Sequence, residues 1–160
     1  MTEFGDDADR NSGETETGHK TPWYRDGLHF ECTQCGDCCS GAPGYVYVDD
    51  DEIAALALAM EMPVDAFERQ FVRRVGVRRS LTEYPDGDCI FLDPDSRHCI
   101  VYAARPIQCR TWPFWNQTLR SPTTWAQTCD VCPGCSLPGN ERGVVTQLPV
   151  IESRRKQRAV

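Results

Sequence analysis

Cysteine dominates the chemistry that this sequence can perform. The chain has 160 residues and ten cysteines: Cys32, Cys35, Cys38, Cys39, Cys89, Cys99, Cys109, Cys129, Cys132 and Cys135. Six of them form two Cys-x2-Cys-x2-Cys triplets, which start at Cys32 and Cys129. This spacing lets a tight loop turn two thiolates onto one ion while backbone N–H groups point at the sulfurs. The pattern therefore predicts one or more metal centres of the zinc or iron–sulfur type.

The compartment decides whether these thiols stay reduced. Residues 1–7 are acidic, whereas a secretory signal begins with a basic segment and an apolar run. No apolar stretch approaches the roughly 18 residues of a membrane helix. We therefore expect a cytoplasmic protein without membrane contact, whose reduced thiols bind metal. A framework of disulfides is the alternative, because the cysteine count is even. A thioredoxin-like redox dithiol is not indicated, because such a motif requires Cys-x-x-Cys at the start of a helix that follows a strand, and the sequence does not show this context.

The charge of the chain bears on its partners. The net charge is −7 and the calculated pI is 4.9, which does not favour nucleic acid, because phosphate binding needs a concentrated basic face. The one basic run, Arg154–Arg158, is expected to be a solvated tail. Metal ions are the expected partners, and the sequence identifies no protein partner.

No catalytic motif accompanies the cysteines. The sequence has no Gly-rich phosphate loop, no His-Glu-x-x-His and no nucleophile elbow. The carboxylates around Cys89 stand among Gly and Pro residues that favour turns. Whether the protein is an enzyme stays open from the sequence. If it is one, we expect an iron–sulfur-dependent enzyme.

The elements that must position the cysteines are short. Residues 1–22 are acidic and polar, which predicts a disordered tail. Tyr45–Val48 is aromatic and β-branched and predicts a strand. The carboxylates of Asp49–Glu52 suit the start of a helix that runs to about Met60, and Pro63 opens a second helix.

The second half alternates between turn signals and short apolar runs. Residues 73–92 have a β-like pattern, and a further strand is predicted to start at Cys99. Cys89 and Cys99 therefore flank a predicted hairpin, and Pro106 opens a short helix that carries Cys109. We expect one small, loop-rich α+β domain.

The domain boundaries follow from these elements. The predicted domain covers residues 23–148 and is stapled by cysteine-ligated metal, because small domains with thin cores depend on such staples. The stretch Trp112–Trp125 holds three of the four tryptophans and is expected to close over the core. Residues 149–160 are expected to form a frayed basic tail.

The order and spacing of the motifs are distinctive as a set. The motifs are Phe30-x-Cys32-x2-Cys35-Gly36-x-Cys38-Cys39, Cys89-x-Phe91-Leu92, Cys99-x-Val101-Tyr102, Arg105-Pro106-x2-Cys109-Arg110-x-Trp112-Pro113-Phe114 and Cys132-Pro133-Gly134. Over residues 28–139 this set resembles the YkgJ-like CxxCxxCC cysteine-cluster family. Members of that family are described as zinc- or iron-chelating domains and often as Fe–S-cluster-containing proteins.

The resemblance implies eight metal ligands. They are Cys32, Cys35, Cys38, Cys39, Cys89, Cys99, Cys109 and Cys132. Eight make two sets of four, as tetrahedral thiolate sites require. The adjacent Cys38 and Cys39 are expected to point apart and to join two neighbouring centres, or else to provide a reserve ligand for one centre. Cys129 and Cys135 are additions to the family pattern and further candidate ligands; the alternative is that one of them is an unliganded thiol. The choice between zinc and iron–sulfur, and the number of centres, stay open.

Two arginines adjoin one of these cysteines. Arg105 and Arg110 stand close to Cys109 in the sequence, where positive charge would favour thiolates and offset the charge of a cluster. The alternative is that both arginines pair with the acidic turns.

Three functions fit the sequence. The first is a metal- or cluster-binding protein without a reaction of its own. The second is an iron–sulfur oxidoreductase or modifying enzyme, a class kept open because related cysteine clusters are fused to a protein lysine methylase. The third is a zinc-stabilised interaction module that contacts a partner through the Trp112–Trp115 region, whose aromatic residues could equally be core.

Overall fold

The computed structural model describes residues 21–136 and 145–158. The predicted disordered tail therefore lies outside the described residues, apart from residues 21 and 22. In chain order the elements are β1 (Leu28–His29), β2 (Tyr47–Val48), α1 (Asp50–Ala59), α2 (Val64–Phe71), β3 (Val72–Val75), β4 (Arg78–Leu81), α3 (Ile107–Arg110), α4 (Pro122–Val131), β5 (Val145–Thr146) and α5 (Leu148–Arg158). Two single-turn 3₁₀ helices cover Asp37–Cys39 and Tyr102–Ala104. The predicted small α+β fold is confirmed.

Two small antiparallel sheets organise the strands. One has the order β2-β4-β3, and the other pairs β1 with β5. The β3–β4 hairpin aligns Val72 with Leu81 and Val75 with Arg78. Its turn needs Gly76, whose φ of 59° is in the left-handed region that glycine adopts without steric cost. β4 is thereby placed between its two neighbours.

Helix α1 begins where the carboxylate run predicts. The Asp49 side chain accepts a hydrogen bond from the Glu52 N–H at 2.8 Å, and the Glu52 carboxylate accepts one from the Asp49 N–H at 3.1 Å. This reciprocal capping box satisfies two backbone donors that a helix start leaves unpaired. Helices α1 and α2 cover the three-stranded sheet and enclose a set of buried side chains that we call the sheet cluster. Its members are Val48, Ile53, Leu56, Ala57, Phe67, Leu81, Phe91 and Val101.

A second apolar set lies around α4 and α5, and we call it the helical cluster. Its members are Tyr24, Leu28, Phe114, Leu119, Trp125, Cys132, Cys135 and Ile151. Pro122 opens α4, and Ser121 caps it by accepting from the Thr124 N–H at 3.2 Å. Trp125 and Phe114 are fully buried and their rings stack at 5.9 Å.

The C-terminal segment differs from the expected frayed tail. It forms α5, and Ile151 on that helix is fully buried in the helical cluster. The Tyr24 hydroxyl donates to the Glu152 carboxylate at 2.7 Å, which fixes α5 to the start of the described chain. Ile151 precedes the basic run, and its burial provides apolar packing that the charge pattern alone does not predict.

The predicted hairpin around Cys99 is reduced to a single bridge. Leu92 pairs with Cys99, and the chain between them turns, with the Asp93 carboxylate accepting from the Ser96 N–H at 2.7 Å. The strand expected from Cys99 is instead a turn that leads into the Tyr102–Ala104 3₁₀ helix. Turn chemistry has therefore prevailed over β propensity in this segment. Among the described residues, no helix combines the length and apolar character needed to cross a membrane.

Candidate metal centre

A narrow, mostly apolar cavity of about 40 Å³ lies where the cysteine-bearing segments meet. Seven cysteines line it: Cys32, Cys35, Cys38, Cys39, Cys99, Cys109 and Cys132. One water molecule needs about 10–15 Å³ of such space, so the cavity suits only a few atoms. The rest of its wall includes Phe30, Tyr102, Arg105 and Trp112.

Cys89 stands directly beside this cavity. Together with Cys38, Cys39 and Cys109 it lines an adjoining hollow of about 250 Å³. Its N–H donates to the Cys39 carbonyl at 2.7 Å, which joins two chain segments at the level of the sulfurs. The fold thus gathers all eight cysteines of the predicted ligand set in one region, and we call these eight residues the cysteine cage.

Cys129 and Cys135 are close to the cage but do not line its cavity. The Cys135 thiol contacts the sulfurs of both Cys129 and Cys132. Cys135 also pairs with Phe30 in an isolated β-bridge, which brings the second triplet next to the first. Whether Cys129 or Cys135 binds metal stays a prediction.

The first cysteine loop depends on Gly36. Gly36 has a φ of 81° and precedes the 3₁₀ turn Asp37–Cys39, and its carbonyl accepts from the Cys39 N–H at 2.8 Å. A Cβ at this position would collide with the carbonyl of Arg97 and lie 2.8 Å from a Leu92 methyl carbon. Glycine is therefore required both for the backbone conformation and for the close approach of the neighbouring turn.

The sulfurs of Cys38 and Cys39 do not point apart as expected. They lie 3.9 Å from each other. Two sulfurs bound to one tetrahedral zinc, with bonds of about 2.3 Å, are about 3.8 Å apart. As placed, the pair is therefore spaced for one shared ion. The expectation that the two side chains point apart is therefore wrong, whereas the number of centres that the pair serves stays a prediction.

The Cys39 thiol shares its proton with the sulfurs beside it. Its contacts lower the pKa of Cys38 and lower the pKa of Cys89 to about 7. The same contacts, with burial, raise the pKa of Cys39 itself. Together, the three sulfurs therefore bind fewer protons than three separate thiols would. A cation that takes the place of the shared proton leaves a group of three thiolates.

Helix α3 holds Cys109 at the cage through contacts that the sequence did not reveal. The buried Gln108 side chain accepts from the Tyr47 N–H at 3.2 Å and donates to the Tyr45 carbonyl at 2.7 Å. The Glu52 carboxylate, which also caps α1, accepts from the first N–H of α3 at 2.6 Å. This single turn is therefore held by hydrogen bonds to the sheet and to α1. Such contacts between distant residues cannot be predicted from a local sequence pattern.

Cys132 ends α4 and faces the indole of Trp112. The buried Trp112 Nε1–H has no hydrogen-bond partner among the described residues. It approaches the Cys132 sulfur closely enough to lower the pKa of that thiol, which contact with Cys135 and the indole brings to about 6. An unpartnered buried donor close to this sulfur would be better satisfied by a Cys132 thiolate, the form that binds metal, than by a neutral thiol.

Three further cage thiols are disfavoured as free anions by burial. Burial raises the pKa of Cys109 to about 12 and also raises the pKa values of Cys99 and Cys35. The positive charge of Arg105 acts in the opposite direction on Cys99 and Cys109. One guanidinium does not outweigh burial, so a bound cation is needed to hold these sulfurs as thiolates.

As placed, the side chains do not yet form a closed coordination shell. Among the described residues, no three His, Cys, Asp or Glu side chains are arranged to hold a metal ion. Structural zinc sites and iron–sulfur clusters are bound by four protein ligands, with Zn–S bonds near 2.3 Å. Metal binding therefore requires further cage sulfurs to move closer to a pair such as Cys38 and Cys39.

The chain matches the model of the CxxCxxCC family, described as "Putative zinc- or iron-chelating domain", over residues 31–135. It belongs to this family. The match begins just before Cys32 and ends at Cys135, so it spans the whole cysteine cage. The family description makes metal binding the shared property of these domains and leaves the metal unspecified.

One curated relative is an uncharacterised protein of Methanocaldococcus jannaschii. It is 32% identical over 91 residues, which are 57% of this chain and 48% of the relative. The aligned region therefore covers about half the length of that protein. No solved structure matches the chain.

Proposed function

We propose that this CxxCxxCC domain binds zinc or iron through its cysteine cage. The observation that carries the proposal is the single narrow cavity lined by seven cysteines that are far apart in the sequence. Thiolates are soft ligands that select zinc and iron–sulfur centres over magnesium or calcium. Cys38 and Cys39, at 3.9 Å, are already spaced for a shared ion.

The arrangement favours a centre that also stabilises the fold. Cys89 and Cys99 pack against the sheet cluster, while Cys132 belongs to the helical cluster. A metal held by sulfurs from both sides would link the two apolar clusters. When a site does not exist in the unfolded chain, the free energy of metal binding becomes free energy of folding.

Anaerobic purification followed by elemental analysis tests the proposal and separates its two forms. Iron with acid-labile sulfide and visible absorbance near about 400 nm indicates an iron–sulfur centre. A colourless protein with stoichiometric zinc indicates a zinc centre and removes the oxidoreductase alternative. A protein without either metal, in which thiol titration finds disulfides, contradicts the proposal.

Cys35→Ser tests whether the cage holds the metal. We expect this variant to lose metal and much of its thermal stability together, because the removed ligand belongs to the cage. Cys129→Ser is the matched control, since its sulfur does not line the cavity, and it should keep its metal. If the Cys35 variant retains full metal content and melts like the wild type, the cage is wrongly assigned.

The interaction-module alternative receives no support from the aromatic residues that suggested it. Phe114 is fully buried in the helical cluster, and Trp112 packs against that cluster. The Trp115 indole donates to the Gln108 carbonyl at 3.1 Å. These side chains are therefore core and support for the cage, as the core alternative predicts, and are not a free docking surface.

A further inference from the structure

A third cavity, also of about 250 Å³, adjoins the cage. Unlike the other two, it is lined by several positively charged side chains. Three arginines line it: Arg105, Arg110 and Arg154. Its one acidic lining residue is the exposed Glu31. We call this space the arginine cavity. It is a concentrated positive site on a chain whose net charge is −7.

No carboxylate of the described residues forms an ion pair with these three guanidinium groups. The ion pairs within the described residues are formed by other arginines, namely Arg25, Arg69, Arg73, Arg79 and Arg97. The sequence-based alternative that Arg105 and Arg110 pair with the acidic turns is therefore wrong for the described part of the chain. Their charge remains available to a ligand.

Two of the arginines are held in place by aromatic rings. The Arg105 guanidinium lies 3.5 Å from the centroid of the Tyr102 ring, and its Nε donates to the Tyr102 carbonyl at 3.0 Å. These contacts fix the guanidinium at the wall of the arginine cavity. The Arg154 guanidinium, on α5, lies 5.3 Å from the centroid of the Phe114 ring. Stacking of this kind reduces the conformational entropy that an arginine loses on binding.

Burial makes the positive charge costly in the absence of an anion. Arg154 is half-buried, and its pKa is lowered first by that burial and then by the charge of Arg105. Two guanidinium groups that repel each other across a cavity would both gain from an anion placed between them.

We propose that the arginine cavity binds an oxyanion, namely a phosphate or carboxylate group of a small molecule, beside the cysteine cage. Planar guanidinium groups bind such oxygens bidentately. Cys32 and Cys38 lie in the wall shared by the cavity and the cage, so the anion is held next to the proposed metal. The site goes beyond metal binding, since the arginines are present whether or not the cage is filled.

A competing explanation uses the same residues. Metal-bound thiolates carry net negative charge, and nearby arginines could serve only to balance it. On that explanation an arginine variant loses metal, whereas on ours it loses anion affinity and keeps its metal. The two outcomes are measured separately.

The test titrates inorganic phosphate, and in a second arm acetate, into the purified metal-containing protein. ¹⁵N NMR of the arginine side chains follows binding, and calorimetry gives the affinity. We expect saturable phosphate binding that Arg154→Gln weakens by about tenfold or more, because a charge-assisted hydrogen bond is lost. Arg120→Gln, at an exposed position outside the cavity, should bind as the wild type does.

Arg110→Gln provides a second variant that does not depend on α5, and it should also weaken binding. Stronger binding of acetate than of phosphate would identify a carboxylate ligand, and the reverse a phosphate. The proposal is overturned if neither ion binds saturably, or if Arg120→Gln weakens anion binding as much as Arg154→Gln does. It is also overturned if the cavity variants lose metal and keep their anion affinity. A protein that binds the anion but contains no metal would contradict the proposed metal function alone.

Discussion

At the scale of single residues, Gly36 controls how the first cysteine loop meets the rest of the cage. Its left-handed conformation turns the chain just before Cys38 and Cys39, and its missing side chain lets the Arg97 carbonyl approach. The spacing of the cysteines is visible in the sequence, but the position of their sulfurs is set by this neighbouring residue.

Gly36→Ala is therefore expected to destabilise the protein and weaken metal binding together. The strained φ costs about 1–3 kcal/mol, and the collision with Arg97 displaces the loop. Urea denaturation and metal analysis measure the two effects. Gly76→Ala is the matched control, because Gly76 also has a positive φ but an added Cβ there meets nothing within 4 Å. It should lose only the strain energy and keep its metal; equal metal loss in both variants would contradict this account.

The protons on the cage thiols make metal affinity depend on pH. Burial raises the pKa of Cys109 to about 12 and raises that of Cys99, so both thiols are protonated at neutral pH. Metal binds the thiolate and must release these protons, so affinity rises as pH rises, by about tenfold per released proton per pH unit. The pKa of Cys132, at about 6, adds to this slope only at lower pH.

Zn²⁺ affinity of the reduced apoprotein, measured against a competing chelator at about pH 7 and about pH 8, checks this dependence. We expect an increase of about a hundredfold over that unit, because both Cys99 and Cys109 release a proton. Cys109→Ser should reduce the slope by one proton, whereas Cys129→Ser should not change it. An affinity that is constant over this range would show that the thiols are already ionised and that burial does not govern them.

At the scale of secondary structure, α3 shows how a single turn can be positioned. Four residues are too few for a helix to be stable alone, and α3 is held instead by Gln108 and by the Glu52 carboxylate. Gln108 is only 8% exposed, so its amide is protected from competition with water. Cys109 is the next residue along the helix.

Gln108→Ala is expected to lower the free energy of unfolding by about 1–3 kcal/mol and to weaken metal binding. The substitution leaves the Tyr47 N–H and the Tyr45 carbonyl without their partner. Chemical denaturation with and without bound metal measures both effects. The control is Gln70→Ala, on an exposed face of α2, which should leave both quantities unchanged. Retention of full metal affinity in the Gln108 variant would separate α3 from the cage.

These elements also show which information the sequence contained. α1, α2 and α3 could be predicted because their caps and prolines act over a few residues. The gathering of the eight cysteines in one region agrees with the set expected from family resemblance, whereas their role as ligands stays a prediction. The contact from Gln108 to β2 and the packing of Ile151 could not be predicted, because they join residues far apart in the chain. The orientation of Cys38 and Cys39 was predicted wrongly, because it depends on a 3₁₀ turn that adjacency alone does not define.

At the scale of the whole molecule, the cysteine cage lies between two apolar clusters. Cys89 and Cys99 pack against the sheet cluster, and Cys132 is part of the helical cluster. Each cluster is small, and small cores are marginally stable without staples. A metal bound by sulfurs from both sides would make the clusters unfold as one unit.

Removal of the metal should therefore divide this cooperative unit. We expect chelation to lower the free energy of unfolding by at least about 4 kcal/mol, the linkage value when free metal exceeds its Kd a thousandfold. Hydrogen exchange monitored by NMR should show one opening free energy for Leu56 in α1 and Trp125 in α4 with metal, and two different values without it. Added Zn²⁺ or iron should restore the single value, whereas added Mg²⁺ should not, since it prefers oxygen ligands. If both residues keep equal protection after chelation, direct packing joins the clusters and the cage is not their staple.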